Sequence, residues 1–188
     1  MNDKFTISIT ANGKTRKFEF QNYIEMVNFL SQNKINYEFP NGSIEHSAYL
    51  VKRFAECFNG NFMLYTVNFK PEVFDKREVI DSIKQFLNKK NDNKVSVIVQ
   101  KNELLKKSRL FYEELKDFIG NKKIQFKKFN GGRGGRFMVI ENAYRQAETT
   151  ENDENFTAWV NFNDENYAKE LTHHFNEAFN KSQDCQFV

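Results

Sequence analysis

The chain has 188 residues, a length that suits one domain of ordinary size, or one domain with a small appendage. Its 21 phenylalanines supply much of a core, and its two prolines and eight glycines are too few for a collagen-like or Pro/Gly-rich disordered chain. No stretch approaches the roughly 18 apolar residues that a bilayer span requires, and the sequence opens with alternating residues rather than the apolar run of a signal peptide. We therefore expect a globular, cytoplasmic protein with no membrane partner.

Cysteine and histidine usage gives little support for a metal site. The two cysteines, Cys57 and Cys185, lie far apart, and the chain has three histidines. Structural zinc sites take four such ligands at short, regular spacings. We predict neither a metal nor a cofactor, and we interpret the cysteines as small buried groups in a reducing compartment.

The formal net charge is +3, but the charges are unevenly distributed. Six basic residues and no acidic residue occur between positions 122 and 136, whereas nine acidic and two basic residues occur between positions 141 and 177. Such asymmetry can steer an anionic partner towards one surface. An equally good interpretation is a solvated strand edge that carries lysines to keep other chains from pairing with it.

The first forty residues predict a small unit of two strands, a helix and a third strand. Alternating residues occur from Phe5 to Ile9 and from Lys14 to Phe20, and the Asn12-Gly13 pair between them is a strong hairpin signal. Apolar residues at helical spacing then extend from Tyr23 to about position 33, and residues 35–39 predict the third strand.

A turn sequence, Pro40-Asn41-Gly42, divides the chain into an N-terminal appendage, residues 1–42, and a main domain, residues 43–188. In the main domain helical and strand patterns alternate. Helices are predicted after Ser43, after the capping-box pair Asp75 and Glu78, from Leu104 to Ile119 and after Asp164. Strands are predicted at 62–69, 95–99, 124–129, 137–140 and 157–162. Tyr144 either extends the strand 137–140 or belongs to a strand that pairs with it. Apolar strands between helices imply an α/β fold, with a mostly parallel mixed sheet and helices on both faces.

The segment from Asn130 to Glu141 carries the most specific pattern in the chain. It contains four glycines in five positions, Gly131, Gly132, Gly134 and Gly135, which allow a ligand or another chain to approach closely. No Gly-Lys-Ser/Thr follows, which excludes a Walker loop, and the segment leads into a strand, which excludes a dinucleotide-binding loop. A tight loop between strands and an RGG-like contact to single-stranded nucleic acid both fit these residues.

Residues 134–141, Gly-Gly-Arg-Phe-Met-Val-Ile-Glu, resemble the H-x-K-x-x-x-x-D signature of the phospholipase D superfamily. In that family the histidine attacks phosphorus, the lysine holds the phosphate and the acid tunes the site. The resemblance implies that Gly134 stands at the nucleophile position, Arg136 at the phosphate-holding position and Glu141 at the acid position. Arginine still pairs with an anionic oxygen, whereas glycine has no side chain with which to attack.

The resemblance continues downstream and covers about residues 43–182. Residues 158–161, Ala-Trp-Val-Asn, stand where the family usually has G-S-x-N, and only Asn161 is retained. The strings 137–142, 143–145 and 161–164 also resemble a short bacterial branch of the superfamily that lacks the catalytic pair. Domains of that branch commonly occur in multi-protein bacterial systems, including defence against phage.

The resemblance and the basic segment together predict a non-catalytic module that binds a protein partner or an anionic ligand, including nucleic acid. Because the family's domains typically pair through their active-site faces, a homodimer or a heteromeric partner is expected. The candidate ligand-binding residues are Lys127, Lys128, Arg133, Arg136, Glu141 and Asn161, together with the glycines Gly131, Gly132, Gly134 and Gly135. Strand alternation, however, places neighbouring lysines on opposite faces, which is an argument against one continuous basic patch.

The alternative function is a phosphodiesterase or nuclease that uses a non-standard nucleophile. That function needs another histidine in the site, but His46, His173 and His174 all lie in predicted helices, where a structural role is the simpler interpretation. We interpret Trp159 as a core residue of the last strand. The acidic stretch 151–155 is interpreted as a solvated loop rather than a metal site.

Overall fold

The computed structural model describes residues 4–11, 13–101, 103, 105–131, 136–147 and 158–185. Within these residues the chain forms a two-stranded sheet, an eight-stranded sheet and six α-helices. The strands are β1 (Phe5–Ala11), β2 (Lys14–Phe20), β3 (Phe39–Asn41), β4 (Asn61–Asn68), β5 (Lys94–Lys101), β6 (Ile124–Lys128), β7 (Arg136–Ile140), β8 (Ala143–Ala147), β9 (Ala158–Asn161) and β10 (Gln183–Asp184). The helices are α1 (Tyr23–Gln32), α2 (Ile44–Cys57), α3 (Pro71–Phe74), α4 (Arg77–Lys89), α5 (Arg109–Gly120) and α6 (Glu165–Lys181).

The predicted N-terminal hairpin is confirmed. Strands β1 and β2 pair antiparallel, and Gly13 adopts the positive φ of 71° that such a tight turn favours. Asn12, the other predicted turn residue, lies outside the described residues. The hairpin packs on α1 through aromatic side chains, because the Phe29 ring lies 4.9 Å from that of Phe18 and 5.3 Å from that of Phe20.

The large sheet has the strand order β10-β6-β5-β4-β7-β8-β9-β3. Strand β5 pairs parallel with both β4 and β6, and the remaining neighbours pair antiparallel. The structure confirms an α/β fold with a mixed sheet, but parallel pairing is confined to these three strands and is less extensive than expected. The reason is connectivity: helices link β4, β5 and β6, whereas β7 and β8 are joined by a two-residue turn that permits only antiparallel pairing.

Helices cover both faces of this sheet, as predicted. The larger core cluster packs helices α1 to α5 on one face, and successive residues of β4 point to alternate faces, so that Phe62 and Leu64 join this cluster. Met63 and Tyr65 point to the other face, into a smaller cluster beneath α6. Capping is as predicted at two of these helices, because Ser43 accepts a hydrogen bond from the His46 amide and Asp164 accepts one from the Tyr167 amide.

The third strand differs from the prediction. It comprises residues 39–41 instead of 35–39, and it joins the edge of the large sheet by pairing with β9. Pro40 was interpreted as a turn residue, but an edge strand tolerates proline because half of its backbone groups need no partner in the sheet. Phe39 is buried against Phe162 in the larger core cluster, with ring centroids 5.8 Å apart. The division of the chain at residue 42 stays a prediction.

The predicted capping box at the start of α4 is wrong. No side chain caps that helix, and the Asp75 carboxylate instead accepts hydrogen bonds from the amides of Leu110 and Phe111, at 3.4 and 3.1 Å. These amides lie in the first turn of α5, so Asp75 caps a helix that is distant in sequence. A short polar side chain at the right spacing does not reveal which helix it will meet in three dimensions.

No helix among the described residues has the length and apolar character needed to cross a membrane.

Candidate anion-binding cleft

A cleft of about 100 Å³ lies between the large sheet and helices α2 and α3, at the edge where β4 ends and β7 begins. Its walls are partly apolar, with Leu64 and Met138 among them, and three cationic side chains also line it: Lys70, Arg136 and Arg145. In open α/β sheets, ligands bind outside the carboxyl ends of parallel strands, next to a point where the strand order reverses. The cleft occupies this position at the carboxyl end of β4.

The two arginines come from adjacent strands and share one face of the sheet. Arg136 is the first residue of β7 and pairs with Ala147 of β8, and Arg145 lies two residues before Ala147. They are therefore diagonal cross-strand neighbours, which typically lie about 7–8 Å apart. That spacing suits two guanidinium groups that converge on one anion.

Arg145 is buried, with 8% of its surface exposed. Its Nε donates to the Asn41 side-chain oxygen at 2.9 Å, and its terminal nitrogen donates to the Ser47 hydroxyl at 3.3 Å. Burial lowers the pKa of this guanidinium to about 10, because the charged form loses hydration. Burying a cation costs folding free energy, and groups with a strongly perturbed pKa are concentrated at functional sites.

Residues from the N-terminal third of the chain position Arg145. Asn41 ends β3, and Ser47 lies in the first turn of α2, where its hydroxyl also donates to the Ser43 carbonyl at 2.8 Å. The Tyr23 phenol of α1 lies beside Asn41, and burial raises the pKa of this phenol, so it stays protonated. Three separate elements therefore orient one guanidinium.

The two candidate lysines lie apart from the cleft. Lys127 points to the α6 face, where its Nζ donates to the Phe179 carbonyl at 3.2 Å and lies 4.4 Å from the centre of that ring. Lys128 pairs with Val99, and its side chain points to the face opposite that of Lys127. It lies in the same row across the sheet as Arg136, but three strands away from it. Three interstrand spacings amount to about 14 Å. The predicted split of the lysines between faces is confirmed.

Glu141, which follows β7, and Asn161, which ends β9, lie at the end of the sheet opposite the cleft. The Glu141 carboxylate accepts from Lys34 Nζ at 2.9 Å and from the Asn59 amide at 2.8 Å, and its residue adopts a φ of 48° in the turn after β7. Asn161 ends β9 and donates to the Asn36 side-chain oxygen at 2.8 Å. Four residues of strand, about 13 Å, separate this end of β7 from Arg136. The structure therefore does not bring these two residues together with the arginine.

Most of the glycine loop lies outside the described residues, namely Gly132, Arg133, Gly134 and Gly135. Gly131 is described, and a Cβ atom there would lie 2.3 Å from Cζ of Phe129, so a side chain at this position would require the Phe129 ring to move. The acidic stretch 151–155 also lies outside the described residues.

None of the three histidines, all of which are described, lines the cleft. The His46 ring stacks on Tyr23, with centroids 3.7 Å apart, and partial burial lowers its pKa. His173 is exposed and lies 3.7 Å from a carboxylate oxygen of Glu177. His174 lies on the α6 side of the sheet, 6.0 Å from the Tyr65 ring. Among the described residues, no group of histidine, cysteine and acidic side chains has the arrangement of a metal site.

Sequence reasoning found Arg136 but missed Arg145, Lys70, Ser47 and Asn41. Arg145 did carry a signal, because it is a basic residue inside a short strand that is otherwise buried. Ser47 and Asn41 had no such signal, since a serine within a helix and an asparagine in a turn sequence are common anywhere.

Two solved structures are similar to this chain. One is TrmBL2, an archaeal chromatin protein whose structure shows a novel mode of DNA binding. It has a TM-score of 0.61 and 14% sequence identity, over 86% of this chain and 60% of that one. The other is Nuc from Salmonella typhimurium, a phospholipase D family member, with a TM-score of 0.54 and 13% identity, over 81% of this chain and 99% of that one.

The chain has a phospholipase D-like fold. It spans 60% of the length of TrmBL2, and at these identities the likeness concerns the fold alone. The sequence matches no protein-family model and no curated protein.

Proposed function

We propose that this chain is a non-catalytic phospholipase D-like module that binds an anionic, phosphate-bearing ligand in the cleft. The observation that carries the proposal is the pair of arginines on adjacent strands, with Lys70 as a third cation on the same cleft. Guanidinium groups form paired hydrogen bonds with phosphate oxygens, and such bonds are about twice as strong as neutral ones.

The cost of burying Arg145 supports a ligand-binding role. Burial lowers the pKa of this guanidinium because its charged form loses hydration. An anion in the cleft would place an opposite charge beside the guanidinium and offset part of that loss. The apolar walls favour the same outcome, because a charge pair interacts more strongly where water is partly excluded.

The absence of a nucleophile supports binding without phosphoryl transfer. Glycine occupies the position at which the superfamily has its attacking histidine, and the three histidines of the chain lie away from the cleft. Arg136, in contrast, retains a cation at the position that the superfamily uses to hold phosphate. The chain thus keeps the means to bind a phosphate and lacks the usual means to cleave one.

The size of the cleft favours a single phosphate group over stacked bases. A nucleic acid would then present one backbone phosphate to the arginines, in line with the DNA-binding description of TrmBL2. A protein partner, or a second copy of the chain within a multi-protein bacterial system, would cover the cleft in the way that superfamily domains pair.

Calorimetric titration with inorganic phosphate and with a short single-stranded DNA, each across a salt series, tests this function. We expect Arg136→Ala to weaken phosphate binding by roughly 10- to 150-fold, the equivalent of the 1.5–3 kcal/mol of a hydrogen bond to a charged group. The salt slope of DNA binding should fall by about one. Arg16→Ala is the matched control, since it removes the same charge from an exposed position on the N-terminal hairpin.

Equal losses in Arg136→Ala and Arg16→Ala would indicate general electrostatic attraction and contradict a specific cleft. Hydrolysis of a generic phosphodiester that disappears in Arg136→Ala would instead identify an enzyme. Light scattering of the same samples measures whether the chain pairs with itself.

A further inference from the structure

A second pocket, of about 370 Å³, lies on the opposite face of β8 from the cleft. We call it the acidic aromatic pocket, and the residues that define it are Glu38, Tyr144, Gln146, Trp159, Asp164 and Tyr167. Strand alternation explains why two different sites share one strand, because Arg145 faces the cleft while Tyr144 and Gln146 face the pocket. Its volume lies at the lower end of the range for small-molecule sites.

Three aromatic rings line the acidic aromatic pocket. The rings of Tyr144 and Tyr167 meet edge to face, with centroids 4.8 Å apart and an interplanar angle of 72°. Trp159 lies beside Gln146 on the neighbouring strand, and it is 38% exposed, so the prediction that it is a core residue is wrong. Trp159 therefore adds a partly exposed aromatic ring to the lining of the pocket.

The same pocket is negatively charged. The Tyr144 hydroxyl donates to the Glu38 carboxylate at 2.5 Å, and Asp164 lies at the start of α6. Burial raises the pKa of both tyrosines, and the nearby carboxylates of Glu38 and Asp164 raise it further, although the hydrogen bond to Gln146 lowers the pKa of Tyr167. The Tyr167 hydroxyl is occupied as well, because it donates to Gln146.

These features together select the charge and the class of ligand. Aromatic faces and carboxylates both attract cations and repel anions. A hard metal ion would require six or more oxygen ligands, whereas the described lining offers two carboxylates, Glu38 and Asp164, beside three aromatic rings. An organic ammonium ion matches both parts of the site, because its methyl or methylene groups contact the rings while its charge faces the carboxylates.

We propose that the acidic aromatic pocket binds a methylated ammonium group. Trp159, Tyr144 and Tyr167 surround the methyl groups, and Glu38 with Asp164 supplies the opposite charge. The group belongs to a free quaternary amine or to a methylated lysine side chain of another protein, which share this chemistry. The site is independent of the phosphate-binding cleft.

Trp159 is the only tryptophan in the chain, so its fluorescence reports directly on the pocket. The probe is tetramethylammonium chloride, titrated at constant ionic strength against sodium chloride, with calorimetry as a second measurement. We expect a saturable change in wild-type fluorescence. A trimethyllysine peptide, its unmodified lysine counterpart and choline are then titrated, and the tightest of these identifies the source of the group.

Two variants and one neutral ligand make the test decisive. Glu38→Gln retains an oxygen that can accept from Tyr144 but removes the charge, and we expect roughly 3- to 30-fold weaker binding, the range of one cation–π or exposed ionic contact. Glu19→Gln removes the same charge from an exposed position on the N-terminal hairpin and should bind within about twofold of the wild type. Thermal melts confirm that both variants fold.

The proposal is overturned if tetramethylammonium gives no saturable signal in either measurement, or if Glu38→Gln binds as tightly as the wild type. It is also overturned if 3,3-dimethylbutan-1-ol, the uncharged isostere of choline, binds as well as choline, because the pocket would then be merely apolar. None of these results bears on phosphate binding in the cleft, whose affinity is measured separately.

Discussion

Replacement of Glu141 tests whether this residue stabilises the fold or belongs to the ligand site, as its position in the superfamily signature implies. Its carboxylate connects Lys34 to the Asn59 amide, across the end of the sheet opposite the cleft. Glu141→Gln keeps an oxygen for the amide but loses the ion pair, whereas Glu141→Ala loses both contacts. Glutamine and alanine tolerate the φ of 48° about equally poorly, so the comparison isolates the side chain.

The expected magnitudes follow from exposure and geometry. The Lys34–Glu141 ion pair is 46% and 35% exposed on its two sides, so it contributes about 0.5 kcal/mol. The amide hydrogen bond to a charged acceptor contributes about 1.5 kcal/mol, the lower end of its range, because the site is partly hydrated. Glu141→Ala should therefore lower the free energy of unfolding by about 2 kcal/mol, which is about 4–8 °C in Tm for a chain of this length.

Thermal and urea melts measure these losses, and phosphate titration of the same variants measures the ligand site. We expect phosphate affinity to change by no more than about twofold in either variant. A double-mutant cycle with Lys34→Gln separates the ion pair from the packing of Lys34 over the Phe58 ring. An unchanged Tm together with lost phosphate binding in Glu141→Ala would refute the structural role and show that Glu141 belongs to the ligand-binding site.

Three further predictions concern stability. Asp75→Ala should cost about 1 kcal/mol by uncapping α5, measured by urea denaturation, and Asp75→Asn should cost less because an amide oxygen still accepts. Phe162→Ala should lower the free energy of unfolding by about 3–5 kcal/mol, since the ring is fully buried among other phenylalanines. Phe162→Leu should lower it far less, and equal losses in the two variants would contradict this packing. Because the folded-state pKa of His46 is lowered from 6.5, its contribution to stability is complete above pH 6.5 and falls as pH falls below that value. Subtracting the Tm–pH profile of His46→Phe from that of the wild type should reveal this slope. Identical profiles would disprove it.

Local signals predicted much of this fold. The hairpin around Gly13, the cap at Ser43 and the cap at Asp164 depend on residues within four positions of each other, so the sequence alone contains the information. The resemblance to the superfamily signature likewise indicated the fold and the position of Arg136.

The features that the sequence did not predict depend on distant contacts. Asp75 carries a correct capping pattern for α4 but meets α5 in space. Arg145 became a candidate only when the fold placed it beside Arg136, and Trp159 is exposed where it lines the acidic aromatic pocket. Strand periodicity assigns such side chains to a face of the sheet, but it does not reveal whether that face is filled.

The two outermost strands of the large sheet restrict how copies of this chain can join. Strand β3 is three residues long and its middle residue, Pro40, has no N–H to donate, while β10 at the other side is two residues long. As far as the structure describes them, these two strands offer few backbone groups with which a neighbouring molecule could continue the large sheet. An oligomer of this protein would therefore form more readily through its helices, its loops or its hairpin than through the edges of that sheet.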